Sequence, residues 1–270
     1  MLIIGERINS TRKSVQPALR EKNESFVIEE ARKQKEAGAQ YIDVNVATMG
    51  DQEPAYMEWA VKTIQGAVDV PLSIDSPNPS AIEAGLQVHQ GRAFVNSVTA
   101  EAAKLEAMVP LVRDYDANVI ALCMDDQGIP NDARKRCEVA SRLVEHLTRQ
   151  NIPSDRIYLD PLVYPVSTSP EAGQAVLETL RFIRENFPQV HTICGLSNVS
   201  FGLPVRKLLN QAFLLLCMGA GLEAAILDPT DQDLMRLLCA GEALLGRDQF
   251  CARYLQEYRA GKLGVAPDQK

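Results

Sequence analysis

Carboxylates and amides recur at the ends of short apolar runs along this chain. Glu6 and Asn9 close the first run, Asp43 and Asn45 the second, Asp75 the third, and Asn96 with Ser97 the fourth. Asp160 ends a later run, and Ser197 and Asn198 follow "TICGL" at 192–196. Any one Asp or Asn after a strand serves as a cap or turn former. The set asks for more, because Asp43, Asp75, Asn96 and Asp160 each sit inside apolar, strand-like sequence, and a buried polar group needs a partner. Two kinds of partner suit these acceptors: a hard cation such as magnesium or calcium, or an organic ligand rich in N–H groups. Zinc does not suit them, since His89, His146 and His191 are scattered without paired ligand spacing. Nucleophilic catalysis lacks a signature as well: there is no GxSxG, and no Cys stands near a plausible His base.

Short β-rich runs at 2–8, 41–46, 71–75, 93–98, 118–124, 157–163, 192–196 and 224–228 would place these residues. Helical patterns separate the runs. Ser169, Pro170 and Glu171 read as a helix start, followed by Val176, Leu180, Ile183 and Phe187 at helical spacing. Ser80 and Glu83 read as a capping box, and Val139, Leu143 and Leu147 as a further apolar stripe. Eight strands alternating with eight helices, without a linker, predict a single α/β domain over residues 1–270, a (β/α)8 TIM barrel with a terminal helix and polar tail from about 247. A doubly wound sheet is the competitor, but "GERINS" after the first strand lacks the glycine-rich phosphate turn. In a barrel the working residues gather at the C-terminal strand ends.

Composition narrows the function. A net charge of −7 in 270 residues leaves no basic stripe for nucleic acid, and "RKR" at 134–136 reads as a solvated helix start. The charged N-terminus is not a signal peptide. The most apolar segment, 208–227, is interrupted by Asn210, Gln211 and Glu223, which fits a core helix running into a strand and not a membrane span. Six cysteines without CxxC spacing point to free, mostly buried thiols in a reducing cytoplasm.

"GERIN" at 5–9, "IDVNV" at 42–46, "SIDS" at 73–76, "VNS" at 95–97, "LDPLV" at 159–163 and "GLSNVS" at 195–200 occur in one order across the chain. Together they resemble the pterin-binding methyltransferases, most closely the methyltetrahydrofolate:corrinoid protein methyltransferases of anaerobic bacteria. The folate barrel of cobalamin-dependent methionine synthase is a more distant likeness. The resemblance implies that Asp75, Asn96 and Asp160 hold the amino-pyrimidinone edge of a pterin, whose amine and ring N–H are donors. It implies that Gly195 lets the backbone approach the ring, that Ser197 lies in the binding site, and that Asn198 faces N5 as the catalytic residue. Arg206 becomes an anchor for the anionic tail of folate or an ordinary helix-start residue. Glu6, Asn9, Asp43 and Asn45 become supports for these groups or purely structural residues.

The activity implied is methyl transfer between N5 of tetrahydrofolate and the cobalt of a corrinoid, in either direction. A cobalamin-binding DxHxxG motif and clustered cysteines for zinc are both missing from the sequence. The corrinoid should therefore come on a partner protein, with no resident metal in this chain and a homodimer as the expected assembly. Phe201 departs from the family pattern, which carries a polar Gln there, and bears on which corrinoid protein is accepted. Two other readings compete: a dihydropteroate synthase-like enzyme, disfavoured by the first loop "INSTRKS", and a non-catalytic folate-binding protein.

Overall fold

The computed structural model describes residues 1–264 with the exception of Asn131. Its strands are β1 (Leu2–Asn9), β2 (Tyr41–Asn45), β3 (Leu72–Asp75), β4 (Phe94–Thr99), β5 (Asn118–Leu122), β6 (Ile157–Asp160), β7 (His191–Gly195) and β8 (Ala224–Leu227). They pair in parallel in chain order, and β8 returns to β1, so the sheet closes as a (β/α)8 barrel with no free edge. Each expected strand is present.

The wall helices are α1 (Gln16–Arg20), α2 (Glu24–Glu36), α3 (Glu53–Ala67), α4 (Pro79–Val88), α5 (Ala102–Asp114), α6 (Ala133–Arg149), α7 (Ala172–Asn186), α8 (Arg206–Gly219), α9 (Gln232–Leu244) and α10 (Ala252–Arg259). Their apolar faces meet the outward side chains of the strands, as where Val139, Leu143 and Leu147 of α6 bury completely or nearly so. The expected terminal helix is α10, and the tail beyond it at 265–270 lies outside the described residues.

Two helix starts differ from the sequence reading. The cap of α4 is Asn78, whose side chain accepts from the Ser80 N–H, so Ser80 is a recipient of the cap and not its source. Asn and Ser are nearly equal as caps, and Pro79 fixes the first helical position one residue ahead of Ser80. Helix α7 starts at Ala172 behind Glu171, because residues 166–168 and 170–171 form turns that consume the start read at Ser169. Phe187 falls just beyond its end. Strand β6 stops at Asp160 and not at Val163, since Leu162 adopts a positive φ of 63°. Helix α8 also differs from a core helix. Phe213, Leu214, Cys217 and Met218 bury one face, whereas Leu208 and Leu216 on the other are 64% and 58% exposed.

Inside the barrel, Ile4, Phe94, Ile120, Ile193 and Ala224 form the packed interior. From Phe94 the rings continue at the strand starts to Tyr41 on one side and to Tyr158 and then His191 on the other, each ring 4.7 Å from the next. The lower end is therefore closed by packed rings, and the open space is left to the upper end. All six cysteines are free; four are buried, and Cys251 is exposed.

Candidate active site

Parallel register decides which strand-end side chains become neighbours. Asn45 pairs in register with Asp75, and Asp75 with Asn96, so three polar residues form one row across β2, β3 and β4. The Asn45 amide donates to Asp75 Oδ2 at 2.9 Å, while its own carbonyl oxygen accepts from Ser10 and from the Ala47 N–H. Asp43 lies inward of this row and is 3% exposed. Its Oδ1 accepts from Ser73 Oγ at 2.7 Å and from Asn96 Nδ2 at 3.1 Å, reaching across β3. The Asp43 and Asp75 carboxyls are close enough to perturb each other. Burial lifts both carboxyls above the usual range; for Asp43 the neighbouring Asp75 charge adds to the rise, and for Asp75 the Asn45 amide opposes it.

On the opposite wall, Asp160 Oδ1 accepts from the Leu162 N–H at 2.7 Å, and the carboxylate also takes the Gly195 N–H. Burial pushes its carboxyl up to about 6, against these two donors and the charge of Arg136. Arg136 is fully buried in α6, so the solvated start read at 134–136 does not extend to it; it donates to the carbonyls of Pro130 and Leu162, both at 2.9 Å. The strained Leu162 peptide is thus held at its N–H by Asp160 and at its carbonyl by Arg136.

The third group spans β1 and β7. After β7 the chain enters a 3-10 turn, Leu196–Ser200, which carries Asn198. Ser197 Oγ donates to Glu6 Oε2 at 3.0 Å. Burial raises the Glu6 carboxyl, opposed first by this bond and then by Arg12. Asn198 is exposed, and its side-chain amide has no hydrogen-bond partner among the described residues. A Cβ on Gly195 would stand 3.3 Å from Asn198 Nδ2, so the missing side chain there makes room for that amide. Arg206 donates from Nε to Ser200 Oγ at 3.0 Å and from Nη2 to the Ser197 carbonyl at 2.6 Å.

Every residue singled out from the sequence lies at this upper end, in unequal capacities. Asn9 bonds the backbone and hydroxyl of Thr11 and serves its own turn. Asp43 and Asn45 hold Asp75 and Asn96. The sequence reading missed Ser73, Arg136, Ser200 and Asn210. Ser73 was legible as a polar residue at an inward position of "LSID", and Asn210 as an amide within an apolar helix. No cluster of His, Cys, Asp and Glu suited to a metal occurs among the described residues. The mouth is built instead of acceptors that are each prepared by a neighbour, together with one unpartnered amide.

Comparison with known proteins agrees with that arrangement. The family model for pterin binding enzymes matches residues 5–228. The chain belongs to the pterin-binding enzyme family. It is 40% identical over 266 residues to a methylcorrinoid:tetrahydrofolate methyltransferase of Eubacterium limosum, covering 98% of each chain. It is 31% identical over 239 residues to the methionine synthase of Mycobacterium tuberculosis, spanning 84% of this chain and 20% of that protein. A dihydropteroate synthase from Xanthomonas albilineans shares the fold with a TM-score of 0.70, 92% coverage of both chains and 16% identity. The family read from the strand-end motifs is the family found.

Proposed function

We propose that this enzyme transfers a methyl group from the cobalt of a protein-bound corrinoid to N5 of tetrahydrofolate. The observation that carries the reading is the unpartnered Asn198 amide facing a mouth lined by prepared acceptors. A pterin ring presents its exocyclic amine and ring N–H to Asp75 and Asp160, and Asn96 completes that edge. The direction follows the name of the relative aligned over nearly the whole chain.

In this direction the N5 lone pair attacks the methyl carbon as the cobalt–carbon bond breaks. The bond pair stays with the metal, Co(III) becomes Co(I), and the proton on N5 is released to solvent water. Asn198 accepts a hydrogen bond from N5–H in tetrahydrofolate and donates one to the N5 lone pair in the product. A neutral amide serves both states without titrating. The corrinoid arrives on a separate protein that covers the barrel mouth. Six free cysteines suit a reducing cytoplasm, and no helix among the described residues is long and apolar enough to cross a membrane.

The protein works as a homodimer through the outer face of α8. Val205, Leu208, Leu215 and Leu216 form an exposed apolar stripe at helical spacing, which a second copy would cover.

The test is to mix methylcob(III)alamin or a methylated corrinoid protein with tetrahydrofolate and follow cob(I)alamin by absorbance. Stoichiometric methyltetrahydrofolate supports the reading. Tight folate binding without transfer from either donor would leave a carrier, and the proposal would fail.

A further inference from the structure

Asn198 needs a fixed direction, yet its own amide has no hydrogen-bond partner among the described residues, so its placement depends on the turn that carries it. That turn is a five-residue 3-10 segment, a short form with poor internal hydrogen-bond geometry. Its inner end is held by the Ser197 hydroxyl on Glu6. Its outer end is held from the N-terminal part of α8. Ser200, fully buried, donates to Asn210 Oδ1 at 2.7 Å and accepts from Arg206 Nε. The other arm of the same guanidinium takes the Ser197 carbonyl. One planar group therefore spans Asn198, gripping the residue before it and the residue two after it. The guanidinium also stands 5.9 Å from the centre of the Phe201 ring, which follows the turn. Val205 makes this reach feasible: its φ of 51° starts α8 in the left-handed region and directs Arg206 back over the turn.

We infer that Arg206 is a positioning residue for Asn198, clamping the 197–200 turn, and is not the anchor for the anionic tail of folate. Planarity matters here, because a lysine ammonium cannot satisfy the Ser197 carbonyl and the Ser200 hydroxyl in that fixed fork. The inference rests on the methyl-transfer reading, since it assigns a role through Asn198.

A substrate without the tail separates the two roles. Arg206→Met and Arg206→Lys would be assayed with tetrahydrofolate and with 6-methyltetrahydropterin, which has no benzoylglutamate. A clamp predicts that kcat falls about 10- to 100-fold with both acceptors, because a small misplacement of a reacting group costs that much. KM for tetrahydrofolate stays within about twofold, and Arg206→Lys recovers only part of the loss. A raised KM for tetrahydrofolate with unaltered turnover of the tail-free pterin would instead make Arg206 the tail anchor and overturn the inference. Amide hydrogen exchange of the ligand-free protein gives a readout that does not depend on transfer. The Phe201 N–H, bonded to the Asn198 carbonyl at 3.1 Å, should lose protection in Arg206→Met. Equal protection in the variant and the parent refutes the clamp even if no methyl transfer is ever observed. A parent enzyme that binds folate but transfers nothing defeats the functional reading alone.

Discussion

At the scale of single residues, the work in the proposed transfer is divided between groups that hold the pterin and one group, Asn198, that acts on N5. Asn198→Ala removes a strand-end amide that has no partner among the described residues, and kcat should fall by about 10²- to 10³-fold, as for loss of one preorganised donor. Pterin affinity, measured by calorimetry, should change by no more than about threefold, because the ring edge is held elsewhere. Asp160 belongs to the holding set. Its ionised form is the acceptor for ring donors, so pterin affinity should weaken as pH falls through about 6. Asp160→Asn should lower affinity at pH 7.5 by about 10- to 100-fold, the worth of a charged hydrogen bond, and shrink the acid limb of the binding profile. An unchanged limb would transfer that titration to the Asp43–Asp75 pair.

Elements present these residues, and here the helix walls carry their own consequence. Leu216→Lys on the exposed face of α8 should convert dimer to monomer in sedimentation velocity with the barrel still folded, since the site is solvent-facing in one subunit. A monomeric parent protein would remove the basis for that prediction. Element types were legible because strand runs and helix stripes differ in period, and all eight strands lie where apolar runs placed them. Caps were less legible. "SPNPSAIE" offers Asn78 and Ser80 as neighbouring candidates, and only the backbone entry angle selects Asn78. Strand ends announced Asp75, Asp160 and Asn198 because acidic and amide residues interrupt apolar sequence. Their partners were hidden, since the bond from Asn96 to Asp43 joins residues 53 apart and requires the register of three strands. The exposed side of α8 was hidden for a related reason: an apolar helix reads the same whether its second face meets the barrel or another protein.

The whole molecule stores several acids in an environment that resists their charge. For Asp160 the folded value near 6 lies above the ordinary 3.8, so the folded state holds this proton more tightly. That contribution is fully present below about pH 4 and is lost as pH rises through about 6, and a shift of this size is worth about 3 kcal/mol. Asp43, Asp75 and Glu6 shift in the same direction. Glu223 and Asp228 are held below the usual range, and their contribution disappears only at lower pH. Urea unfolding of the ligand-free protein should therefore give greater stability at pH 5 than at pH 7.5. Saturating folate should narrow the gap, because ring donors favour the ionised acids. The floor of aromatic rings carries a further consequence, in the order of events. Tyr41, Phe94, Tyr158 and His191 pack the strand-start end of the barrel, which leaves the opposite mouth for folate and, in the proposed reading, for the methyl donor as well. If the proposed transfer from a docked corrinoid protein holds, tetrahydrofolate should enter first and the donor second, and methylated folate should not leave until the donor undocks. Initial-rate plots should intersect as for a ternary complex, and excess donor protein should slow turnover by trapping product beneath it.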